Sequence, residues 1–110
     1  MLIVTTPSVE GYRVKKYIGL VTGEAILGAN MFKDIMAGFR DIVGGRSAAY
    51  EAEIGKAKTF AINEMTQTAV SQGANAILSV DLDFETIGAN GSMLMVAVSG
   101  TAVVLEKENI

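Results

Sequence analysis

The spacing of apolar positions changes several times along the chain, and each change predicts an element. Leu2–Thr5 is a short apolar run closed by Pro7, which reads as a strand. Tyr12–Val21 is rich in β-formers. Strict alternation puts Tyr12, Val14, Ile18 and Leu20 on one face and Lys15, Tyr17 and Val21 on the other. Gly19, Gly23 and Gly28 punctuate this extended stretch and predict a bend or bulge within it.

The period then lengthens to that of a helix. Asn30 can cap a helix from Met31 to about Val43, with Phe32, Ile35, Met36, Phe39 and Ile42 on one face. Gly44-Gly45 stops it. Ser47 caps a second, longer helix over about Ala48–Gln72, whose inner face is expected to be Tyr50, Ile54, Ala57, Ala61, Met65 and Thr68. Most of these residues are small, so this helix should lie close to whatever it packs on. Phe60 falls on the polar side, either as an isolated exposed aromatic or as a contact for another chain.

Alternation returns over Ala76–Ile87. Ala76, Leu78, Val80, Leu82 and Phe84 are expected on one face, with Ser79, Asp81, Asp83 and Glu85 on the other. Gly88-Ala89-Asn90-Gly91 predicts a hairpin, with Asn-Gly suited to a type I′ turn. The return strand, Ser92–Leu105, is apolar on both faces, so both should be covered, the second by loops or by a neighbouring subunit. The order is β-β-α-α-β-β. It predicts one α+β domain over residues 1–110: two layers, two hairpin-like strand pairs forming an antiparallel sheet, and a long helix packed on it.

Composition adds an expectation of assembly. Half of the 110 residues are hydrophobic, 19% are charged, and mean hydropathy is +0.38. A domain this small has much surface per volume, so the apolar excess points to surface buried between copies. No apolar run approaches the roughly 20 residues that span a bilayer, and the N-terminal residues lack the pattern of a secretory signal. The expectation is a cytoplasmic protein without a membrane partner. Net charge is −3, which disfavours nucleic acid as a partner. The chain has no cysteine and no histidine. Cys/His zinc sites, thiol and Ser-His nucleophiles and imidazole acid–base catalysis are thereby excluded.

Several long segments are distinctive in combination: Gly23-Glu24-Ala25-Ile26-Leu27-Gly28-Ala29-Asn30, Arg40-Asp41-Ile42-Val43-Gly44-Gly45-Arg46-Ser47, Gly73-Ala74-Asn75-Ala76, Gly91-Ser92-Met93-Leu94-Met95-Val96 and Ser99-Gly100-Thr101-Ala102-Val103. Together they resemble the YbjQ-like family, an uncharacterised family labelled for heavy-metal binding. The resemblance implies a dodecin-like subunit assembled in a ring, as a homopentamer or decamer, and implies no established reaction. The label sits uneasily with these residues, because heavy metals favour the thiolate and imidazole ligands that this chain lacks.

Four constellations carry candidate chemistry. Asp81, Asp83 and Glu85 share one strand face with about 7 Å between successive side chains, and their oxygens suit a hard divalent cation such as Ca²⁺, Mg²⁺ or Mn²⁺. The plainer reading is a solvated sheet face near a hairpin, where acids give solubility. Gly44, Gly45, Arg46 and Ser47 enter the long helix as an anion-binding turn would, although Arg46 has a plainer role in pairing with an acid such as Asp41 or Glu51. Met93 and Met95 are the one soft-metal option, and otherwise core or interface filler. Tyr12, Arg13, Lys15, Lys16 and Tyr17 form a basic-aromatic cluster, expected to pair with acids across a subunit boundary.

These features favour a non-catalytic oligomeric module that binds a metal or an anion. The alternative is a carboxylate-dependent enzyme, assisted by a divalent cation and acting on a small anionic substrate. A deep cleft where acids converge would favour the enzyme; a shallow groove repeated between subunits would favour the binder.

Overall fold

The structure, a computed structural model, describes residues 1–28, 48–91 and 93–109. The helix expected over Met31–Val43, its cap Asn30, the Gly44–Ser47 turn and the side chain of Tyr50 lie outside the described residues. The elements are β1 (Leu2–Ile3), β2 (Tyr12–Leu27), α1 (Ala48–Ser71), β3 (Ala76–Ile87) and β4 (Met93–Lys107).

One four-stranded sheet has the order β1-β3-β4-β2, and α1 lies across one of its faces, over β2 and β4. The class is α+β, as expected, but two details of the sheet differ. It is mixed, because β1 runs parallel to β3. The first two strands also do not pair with each other: β2 crosses to the far side of β4. Central β4, apolar on both faces, gains a hydrogen-bonded neighbour on each side, and long antiparallel ladders supply them.

The helix ends in a Schellman motif. Gly73 takes a φ of 89°, its N–H reaches the Val70 carbonyl at 3.0 Å, and the Ala74 N–H reaches the Ala69 carbonyl at 3.0 Å. Ala57, Ala61, Met65 and Ala69 form its buried stripe. Ala69 takes the place expected for Thr68, since a stripe stepping by four follows one ridge of the helix. The small residues do bring the helix close. A β-carbon on Gly23 would lie 1.9 Å from the Ala61 carbonyl oxygen. Val21, Ile77, Val96, Val98 and Ala102 complete this core.

Alternation in β2 is interrupted twice, by a register shift between Tyr17 and Gly19, at one of the glycines that suggested it, and by another between Val14 and Lys16, where no glycine stands. Each bulge reverses the facing of the residues after it. The two reversals cancel beyond the second bulge: Ile18, between them, leaves the Val14 side and packs on the helix side, whereas Leu20 keeps the Val14 side, 75% exposed, and Val21 lies opposite it at 2%.

Strand β3 has its own phase break. Leu78 pairs with Thr101 and Asp81 with Ser99, leaving one extra residue on β3. Ser79 carries it with a φ of 54°. Ala76 and Leu78 thus pack on the side away from the helix, while Val80 and Leu82 pack on the helix side, correcting the single face expected for all of them. A second small cluster, Ala76, Leu78, Val103 and Leu105, is covered by Val4, Val9 and Val14. The second face of β4 is therefore covered by the N-terminal segment at one end. Asn75 anchors that end: its side-chain amide donates to the Leu105 carbonyl at 2.9 Å and its oxygen accepts from the Leu105 N–H at 2.7 Å. The β3–β4 hairpin closes through a 3-10 turn over Ala89–Gly91, with positive φ at Gly88 and Gly91, a longer connection than the expected two-residue turn.

Candidate functional site

Beyond the N-terminal segment, the sheet face opposite the helix carries exposed side chains, and no other described element packs on it. Three cross-strand rows follow from the register. Thr22, Ser99 and Asp81 form one; Glu24, Ala97 and Asp83 the next; Ile26, Met95 and Glu85 the third. Three of the acids are those read from the sequence, on one face and exposed as expected. Glu24 is new. It arrives from β2, almost sixty residues away, and only the β2–β4 register places it across from Asp83. The small side chains of Ala97 and Ser99 floor the space between them, about 10 Å across two strand spacings.

Four carboxylates therefore share an exposed surface with no lysine or arginine paired to them among the described residues. Asp81 raises the Asp83 pKa above the usual carboxylate value, first by a side-chain hydrogen bond and then by its charge, with a further contribution from Glu85. Among the described residues, no three carboxylates converge as a complete metal site within one subunit.

The remaining candidates disperse. Met95 lies on the open face between Ile26 and Glu85, and Met93 pairs with Ile87 two residues along. Arg13 forms an ion pair with Glu106, its register partner on β4, so this pairing is made within the chain rather than across the expected subunit boundary. Lys15, Lys16 and Tyr17 are exposed. The anion-binding turn at Gly44, Gly45, Arg46 and Ser47 lies outside the described residues.

An apolar groove of about 300 Å³ runs between α1 and the end of β2, lined by Ala25, Leu27, Ala57 and Phe60, with Glu53 and Lys56 at its lip. Phe60 is 61% exposed there. The groove lies on the helix side of the sheet, away from the acids. Glu24, Asp81, Asp83 and Glu85 do not line it.

Residues 1–106 match the model of a family described as "Putative heavy-metal-binding". The fold is similar to the crystal structure of a protein of unknown function from the DUF74 family of Pediococcus pentosaceus, with a TM-score of 0.60 and 18% identity over 96% of this chain and 98% of that one. Among the described residues no helix is long and apolar enough to cross a membrane.

Proposed function

Because the chain belongs to the YbjQ-like family, whose model spans nearly all of it, we propose that it is a non-catalytic, homo-oligomeric binding module whose acidic sheet face takes a hard divalent cation. The observation that carries this is the placement of Glu24 opposite Asp81, Asp83 and Glu85 over the small residues Ala97 and Ser99. Carboxylate oxygens are the ligands of Ca²⁺, Mg²⁺ and Mn²⁺. With neither thiol nor imidazole in the chain, the metal of this member is a hard ion rather than zinc, cadmium or copper.

One subunit offers too few converging ligands, so the cation keeps several waters or sits between copies. The second arrangement agrees with the apolar excess and with the exposed Tyr17, Leu20 and Ile26 on the same side of β2. A ring such as a pentamer would repeat each acid in every subunit. An enzyme would need titratable groups converging in a pocket, and the acids here lie on an open surface.

Titration of the metal-free protein with Ca²⁺ and with Zn²⁺, followed by calorimetry, is the direct test. Saturable Ca²⁺ binding that weakens in Asp81→Asn and Asp83→Asn is expected. Submicromolar Zn²⁺ affinity would overturn the ligand assignment. Light scattering that showed a monomer throughout the micromolar range would overturn the oligomer.

A further inference from the structure

The acids face outward only because β3 contains one residue too many. Before Ser79, Ile77 packs in the helix-side core and Leu78 on the opposite side. Continued without interruption, that alternation would turn Asp81, Asp83 and Glu85 toward the helix side, and Val80 and Leu82 away from it. The extra residue at Ser79 reverses this.

The bulge is built into its surroundings on both edges. On the β4 side, Gly100 stands opposite it. A β-carbon there would lie 2.5 Å from Ile77 Cγ2 and 3.1 Å from Val80 Cγ2. Residues three apart in a regular strand point to opposite faces, so both can press on Gly100 only across a bulge. On the other edge the N-terminal segment holds it. The Val4 N–H donates to the Ile77 carbonyl, and the Val4 carbonyl accepts from Val80, each at 3.0 Å. A regular parallel ladder would bring Val4 to residues two apart, not three. The displaced Ser79 N–H is not orphaned: it donates to the Thr6 carbonyl at 3.0 Å. A serine with φ of 54° is in a conformation that costs free energy and persists where neighbours enforce it.

We propose that Ser79 is a positioning residue for the acidic face, and that docking of the N-terminal segment through Val4 and Thr6 is coupled to cation occupancy of that face. The coupling rests on the cation-binding reading above; the positioning does not. Coupling of this kind is reciprocal, so a bound cation should also hold the segment in place.

Ser79→Gly keeps the left-handed backbone and relieves its strain, whereas β-branched Ser79→Val opposes it. In nuclear Overhauser spectra, Gly100 should contact both Ile77 and Val80 in the wild type and in Ser79→Gly, and should lose Val80 in Ser79→Val. Ca²⁺ affinity should stay within about twofold in the glycine variant and fall about tenfold or more in the valine variant, as when supporting contacts of a metal site are lost. A folded Ser79→Val that keeps the Val80–Gly100 contact would overturn the positioning. Absence of Ca²⁺ binding to the wild type would overturn the coupling and the cation reading, and leave the positioning to the Gly100 contacts. Should the valine variant not fold, the wild type still decides the coupling. Saturating Ca²⁺ should slow hydrogen exchange at the Ser79 and Val80 amides, and unchanged rates in a protein that binds Ca²⁺ would refute it.

Discussion

Gly23→Ala adds one methyl group at the tightest point between helix and sheet. The new β-carbon would sit 1.9 Å from the Ala61 carbonyl oxygen and 2.9 Å from the Met65 backbone nitrogen. Both neighbours are helix backbone, which cannot rotate away as a side-chain tip would. Restoring an ordinary contact near 3.4 Å requires α1 or β2 to move by about 1.5 Å, in a core packed as densely as a crystal. Such overpacking costs about 1–3 kcal/mol, partly offset by the ~0.5–1 kcal/mol that an alanine gains over glycine in a strand. A net loss of about 1 kcal/mol is expected, an appreciable share of the ~5–15 kcal/mol that holds a domain. Gly55→Ala is the matched control. It lies in the same helix with open space where its β-carbon would go, and should stabilise by about 0.5–1 kcal/mol. Urea unfolding of both variants, at one fixed protomer concentration because assembly shifts the midpoint, measures the pair. A Gly23→Ala midpoint equal to wild type would show that helix and sheet are not in backbone contact there.

Asn75→Ala removes both hydrogen bonds to Leu105 and leaves its N–H and carbonyl unpaired, which should cost about 1–3 kcal/mol by the same unfolding measurement. Val96→Asp places a charge at a fully buried position under the helix, and several kcal/mol of unpaired-charge penalty should leave no folded protein by circular dichroism. Because the folded-state pKa of Asp83 lies above its ordinary value of 3.8, the folded protein holds the proton more tightly. This group's contribution to stability is therefore present at low pH and is lost as pH rises from the unfolded value through the folded one. Asp81→Asn removes the neighbouring charge and supplies an amide donor to the ionised carboxylate, so carboxyl chemical shifts should show Asp83 titrating at lower pH than in wild type.

Local patterning determined a good deal of this protein. The acid–apolar alternation of Asp81–Glu85 was legible because a strand repeats every two residues, so neighbours in sequence decide it. The close approach of the long helix was legible too, because small residues recur at helical spacing. The absence of cysteine and histidine removed whole classes of chemistry by composition alone. What the tertiary structure decided were relations between distant segments. Strand order put β2 beside β4 and β1 parallel to β3, which no local period encodes. Bulges in β2 exchanged the facing of Tyr17 and Ile18, and the one at Ser79 divided β3 between two cores. Its sequence trace is the apolar triplet Ala76-Ile77-Leu78 ahead of the alternation, a pattern equally consistent with a buried strand end. Glu24 joined the acidic face only through pairing across β4. Its own neighbours in sequence are apolar or small, and the side to which it points depends on every bulge before it. Facing accumulates along a strand, so one inserted residue reassigns every later one, and only the hydrogen-bonded register fixes where insertions fall.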